Sequence, residues 1–184
     1  MRLEVHLHAD IPMIEGVSKK QIEQAIAPLL DYLDADGIPD VKSLEPDEPG
    51  LRYDEKELMF LMCWTGETGR SFHPALESAL ENLGPLCYEA VEVELTLYLE
   101  NGEQETRLLF AGPTALAIHE AKRRCMVEDV TALLAREFGK EQVAEVTAVV
   151  ERFFEQEWKQ RGDEPKKPER AFETATRPSR KHLH

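Results

Sequence analysis

Val91-Glu92-Val93-Glu94-Leu95-Thr96-Leu97-Tyr98-Leu99-Glu100-Asn101-Gly102, with Thr106, Leu108 and Phe110 beyond it, is the stretch on which the fold turns. Its apolar residues fall on every second position, so they share one face of a strand and leave Glu92, Glu94, Thr96, Tyr98 and Glu100 on the other. Asn-Gly supplies the positive φ angles of a type I′ turn. Thr106, Leu108 and Phe110 then return along the apolar face. The stretch predicts a two-residue β-hairpin.

Working outward toward the N-terminus, Gly84-Pro85 ends a helix that opens at His73-Pro74, with proline in the first turn where it is tolerated. Thr65-Gly66-Glu67-Thr68-Gly69 reads as a break before that helix. Leu58 to Trp64 is apolar on both faces, which fits a central strand or the end of a buried helix starting near Asp54. Residues 34–57 are rich in Asp and Glu and carry Pro39, Pro46, Pro49, Gly37 and Gly50. A structureless loop of that length is unusual in a compact domain, so a short element near Val41 to Leu44 or a mobile acidic flap is expected. Ser18 precedes an amphipathic helix carrying Ile22, Ile26, Leu29, Leu30 and Leu33. Pro28 should kink it or end it near Ala27. Arg2 to His8 alternates with Leu3, Val5 and Leu7 on one side, a half-buried strand.

Beyond the hairpin, Gly112-Pro113-Thr114 starts a long helix that Gly139 terminates. A second helix follows with Val143, Val146, Val149, Val150, Phe153, Phe154 and Trp158, making an antiparallel helical hairpin. The expected order is β-α-β-α-β-β-α-α. It predicts an α+β fold in which a mixed four-stranded sheet, a ferredoxin-like variant, carries helices on one face. The first two strands should be parallel, joined by a right-handed crossover. Residues 1–161 form one domain in this reading, and 162–184 a basic, disordered tail.

Composition narrows the function. The chain has 184 residues and a net charge of −14. Residues 165–184 hold six basic and two acidic residues, a net of +4, which leaves −18 on residues 1–164. Such a body repels nucleic acid, so any contact with it should come through the tail. The longest apolar run, Leu58 to Trp64, has seven residues against about 18 for a membrane span. Glu4, His6, His8 and Asp10 interrupt the place of a secretory leader, and three cysteines without zinc or redox spacing fit a reducing cytoplasm.

No catalytic set emerges. His6 and His8, two apart on a strand, project from one face; with Glu92 and Glu94 on a neighbouring strand they could hold a divalent metal. Solvated polar residues on an open sheet need no such explanation. Gly66, Gly69, Arg70 and Ser71 ahead of a helix could bind an anion, although the spacing is not that of a phosphate-binding loop. His119 and Cys125 stand on different sides of their helix and make no catalytic pair, while Cys63 and Cys87 read as inert core thiols. Tyr98 and Leu109 on the open sheet face, and Phe154 and Trp158 on the last helix, are candidate interface residues. The preferred reading is a non-catalytic module that binds another protein or itself as a homodimer. A metal-binding protein or metal-dependent enzyme using the His/Glu cluster is the alternative.

Overall fold

The computed structural model describes residues 3–99 and 101–162. Its centre is β1 (Leu3–Pro12), flanked by β3 (Met59–Thr68) and β4 (Val91–Tyr98). The edges are β2 (Gly50–Asp54) and β5 (Gln104–Ala111), so the sheet has five strands in the order β2-β3-β1-β4-β5. Every neighbouring pair is antiparallel. The expectation of a mixed four-stranded sheet is corrected on both counts, and one omission explains it. The acidic, proline-rich stretch contains β2, and a tight reversal at Asp54–Met59 turns the chain back into β3. One extra strand reverses β3, so β1 and β3 pair antiparallel rather than through a parallel crossover. The parallel relation is instead between β1 and β2, with β3 inserted between them. β3 and β4 likewise run parallel with β1 between them, so two β-α-β units interleave.

The apolar run at Leu58 to Trp64 is a strand, not a helix, and β3 continues through the expected break to Thr68. Gly66 explains how. A Cβ there would lie 2.1 Å from the Trp64 ring, so glycine gives the indole room to lie along its own strand.

The helices form where local chemistry asks for them. Ser18 and Gln21 make a reciprocal capping box at the start of α1 (Lys19–Ala25). The helix ends at Ile26, and Pro28 sits in the first turn of α2 (Ala27–Tyr32), as its missing amide requires. With α3 (Phe72–Leu83), these helices cover one sheet face. Ile22, Ile26, Leu29, Leu76 and Leu83 pack there against Val5, Leu7, Ile11, Phe60, Met62, Val93 and Leu95 in one buried cluster.

The β4–β5 hairpin forms in a different register from the one expected. A two-residue Asn101-Gly102 turn would put residue 100 opposite 103; instead Leu99 donates to the Glu103 carbonyl at 2.9 Å, and Tyr98 pairs with Gln104. Gly102 takes the positive φ at the turn, +81°. A one-residue slip exchanges the faces of the returning strand. Leu109, opposite Val93, packs against the core, whereas Leu108 and Phe110 join Glu94 and Glu92 on the second face.

The two long helices, α4 (Ala115–Leu134) and α5 (Lys140–Arg161), form the expected antiparallel hairpin. They are not confined to the helical face. Lys122 lies over the Phe110 ring, 5.5 Å from its centre, and Cys125 lies beside Glu92, so α4 reaches the second face. Among the described residues no helix is long and apolar enough to cross a membrane. The basic tail lies outside the described residues.

Candidate functional site

The second sheet face carries a polar cluster built from three separate pieces of chain. His6 projects from β1, opposite Thr65 of β3, and His8 projects beside it, opposite Cys63. The two imidazoles are stacked with centres 6.3 Å apart. The third piece is the loop between Val41 and Glu48. Beyond the end of β2 this loop takes over the edge of β3: the Leu44 amide donates to the Thr65 carbonyl at 2.8 Å and the Thr65 amide donates to Ser43 Oγ at 2.8 Å. The Trp64 indole N–H donates to the Lys42 carbonyl at 3.0 Å. Anchored so, the loop brings the Glu48 carboxylate over the sheet.

Glu48 is held on both oxygens. Ser43 donates to Oε2; the Thr65 hydroxyl donates to Oε1 at 3.1 Å, and His6 Nδ1 stands 3.1 Å from the same oxygen. The Glu48 and His6 side chains retain only 17% and 23% of their exposure, so their contact is screened less than a surface pair. Cys63 completes the group. One ligand atom each from His6, Glu48 and Cys63 lies within 4.8 Å of the others. Burial, and then the carboxylates of Glu48 and Asp10, pushes the Cys63 thiol above its ordinary range. A free thiol so placed is a poor nucleophile.

The residues singled out from sequence separate here. His6 and His8 are neighbours as expected, and Glu94 lies opposite His8 on β4. Glu92 sits one step further, against Cys125 of α4 and away from His6. The acidic partner of His6 is Glu48. Cys63, expected in the core, is half-buried on the polar face. Neither is legible as a site residue: Glu48 arrives through an irregular loop, and Cys63 stands in an unbroken apolar run that hides the strand's alternation. The expected anion-binding residues are likewise divided. Gly66 is inside β3, paired with Val5, while the Gly69 amide already donates to the Tyr32 hydroxyl at 2.6 Å. Arg70 and Ser71 follow in the turn before α3, whose first residue is Phe72.

The helical hairpin forms a second grouping. Phe154 and Trp158 pack on the buried His119, with ring centres 5.4 and 4.8 Å away, so both join α5 to α4. Arg123 bridges Glu120 on its own helix and Glu151 on α5. Phe153 points elsewhere and is 60% exposed. It belongs to a row on α5 formed by Gln142, Val146, Val149, Phe153, Gln156 and Gln160, which recur at steps of four and three. None of the six is charged, in a helix where nine of 22 residues are. On α4, Met126, Val130 and Leu133 recur at the same steps, with Met126 and Leu133 exposed. Met126 and Leu133 stand seven and fourteen residues beyond His119, within about 40° of its stripe on α4. Of the other expected interface residues, Tyr98 stands on the second sheet face opposite Glu4, and Leu109 is turned inward.

No curated protein and no solved structure matches the chain. A family model does, over residues 3–155, a span that covers β1 to β5 and nearly all of the helical hairpin. The chain therefore belongs to the family of unknown function DUF6806.

Proposed function

We propose that this protein is a non-catalytic, self-associating module whose α4–α5 hairpin meets the hairpin of a second copy. The observation that carries the reading is the uncharged row on α5 with Val146, Val149 and Phe153 at its centre. Apolar residues at alternating steps of four and three are what a helix presents to another helix. Within this chain that row has exposed apolar side chains, while the neighbouring row of Val143, Phe154 and Trp158 is turned to α4. Two such hairpins side by side would make a four-helix bundle.

Charge supports a second copy as the occupant. Residues 1–114 contain 23 acidic and eight basic residues, a net of −15. Residues 115–162 contain nine and eight, a net of −1. Two copies of so acidic a chain repel each other across most of their surfaces, and the hairpin is the part where that repulsion is nearly absent. The glutamines of the row carry both donors and acceptors and are complementary to themselves.

Size-exclusion chromatography with light scattering tests the reading. Full burial of a phenylalanine is worth about 1.5–3 kcal/mol. Two Phe153 rings with 60% of their surface still to bury would together contribute about 2–4 kcal/mol. Phe153→Glu should therefore weaken the dimer roughly 30- to 1,000-fold without changing the circular dichroism. A wild-type chain that stays monomeric at high micromolar concentration refutes the proposal. We also read the order β2-β3-β1-β4 as a ferredoxin-like arrangement extended by β5, an analogy of architecture that carries no function. The three free cysteines support a reducing, cytoplasmic compartment.

A further inference from the structure

We propose that His6, Glu48 and Cys63 form a binding site for a single borderline divalent transition metal, with Zn²⁺ as the type ion. The inference is independent of the helical hairpin. It rests on three observations that arise from different parts of the chain.

The first is convergence. An imidazole from β1, a carboxylate from the 41–48 loop and a thiol from β3 reach the same few ångströms. Zinc takes nitrogen and oxygen at about 2.0–2.2 Å and sulfur at about 2.3 Å. Around a tetrahedral ion these lengths put donor atoms roughly 3.3–3.7 Å apart. His6 Nδ1 and Glu48 Oε1 are already 3.1 Å apart, and the widest separation within the group is under 4.8 Å. Small side-chain rotations close that difference with no movement of the sheet.

The second is support behind the donors. Metal ligands are held by hydrogen bonds from residues that do not touch the ion, and such partners fix both aim and basicity. Ser43 and Thr65 play that part for Glu48, and Ser43 is itself tied to the backbone of Thr65 through two hydrogen bonds. The loop is thereby held over the strand in the position a bound ion would require.

The third is the donor set. Sulfur and imidazole nitrogen select zinc, cobalt and their neighbours over magnesium and calcium, which prefer all-oxygen surroundings. With the thiol deprotonated, one thiolate, one carboxylate and a neutral imidazole balance a divalent ion. On binding, the ion replaces one proton, that of the Cys63 sulfur, which passes to solvent, while the neutral His6 imidazole keeps its single N–H on Nε2 as Nδ1 takes the metal. Three protein donors leave a fourth position. His8, exposed and stacked on His6, is the side chain placed to fill it or to stand beside a bound water.

The test uses the full chain, purified metal-free, and Co²⁺ alone as probe. Titration should produce a sulfur-to-cobalt absorption band in the near ultraviolet that saturates at one ion per chain. Zn²⁺ should then displace the cobalt and abolish the band. Cys63→Ser, close to isosteric and half-buried, should remove the band while leaving the circular dichroism unchanged. The cysteines at 87 and 125 remain in that variant, so persistence of the band assigns the sulfur elsewhere and overturns the proposal. Thr65→Val removes the support to Glu48 but no ligand, and should weaken cobalt binding about 10-fold or more with the band retained. Absence of the band in the wild-type chain refutes the site outright, whatever the variants do.

Discussion

Replacing Gly50 by alanine tests the link between the loop and the sheet. Gly50 begins β2 at a φ of +73°, a conformation that side-chain-bearing residues adopt at a cost of about 1–2 kcal/mol. A Cβ there would also lie 2.3 Å from the Val41 carbonyl oxygen, a backbone atom that cannot rotate aside. Either β2 or the start of the 41–48 loop must move, which adds a second cost of similar size. Gly16 isolates the first. Its φ is +85°, and a Cβ there meets nothing within 4 Å. Gly16→Ala should thus cost about 1 kcal/mol and Gly50→Ala about 3 kcal/mol. For a chain of this size the difference corresponds to a further drop of roughly 4–8 °C in melting temperature. Paired urea and thermal melts measure both. Equal losses in the two variants would mean that the Val41 contact does not constrain the chain, and the anchoring argument for Glu48 would fall with it.

Further outcomes follow from the cysteines, the exposed turn and the hairpin. In metal-free protein at neutral pH, alkylation followed by mass spectrometry should label Cys63 first. Burial raises Cys125 to about 11 and Cys87 to about 12 and shields both; early labelling of Cys87 would contradict this order. Asp54 accepts from the Glu57 and Lys56 amides, which hold its carboxyl below the usual range near 3.9. Its contribution to stability is present above that range and disappears as pH falls through the lowered value. Asp54→Ala should therefore be less stable than the wild type above a pH of about 5, with the gap closing as the pH falls through the lowered value. His119→Ala should free Trp158, shift its fluorescence to the red and destabilise the hairpin by about 1–3 kcal/mol. An unchanged emission spectrum would place the indole elsewhere.

How much the sequence discloses depends on which interactions set each element. Ser18, Gln21 and Pro28 act within a turn or two, and the capped start and the break at Ile26 follow from them alone. The α4–α5 hairpin is legible for the same reason. β2 is not, because five residues between an acidic loop and a turn carry no period of their own; β3 makes Gly50–Asp54 a strand by offering it an edge. The register of β4 and β5 escapes a local reading because Asn-Gly favours a two-residue turn, while the sheet prefers Leu109 inside and the Lys122 contact keeps Phe110 outside. For the polar cluster, His6 and His8 announce a shared face, but their partners depend on where a loop folds back. Phe153 and Phe154 are both visible as excess aromatics. Which of them is spent on α4 follows only from the position of His119.

The interleaving of the two β-α-β units also governs how the chain reaches this state. β1 precedes the other strands and waits longest for its partners: Pro12 pairs with Met59, and Glu4 must wait for Tyr98. Until β3 has been made, Leu3, Val5, Leu7 and Ile11 have no sheet to enter, and the second edge of their strand stays open until β4 follows. Pairings so distant in sequence are slow to close and exposed to aggregation meanwhile. The net negative charge of the first half of the chain, −12 over residues 1–92, then acts on the nascent polypeptide as well, since mutual repulsion keeps unfinished copies apart.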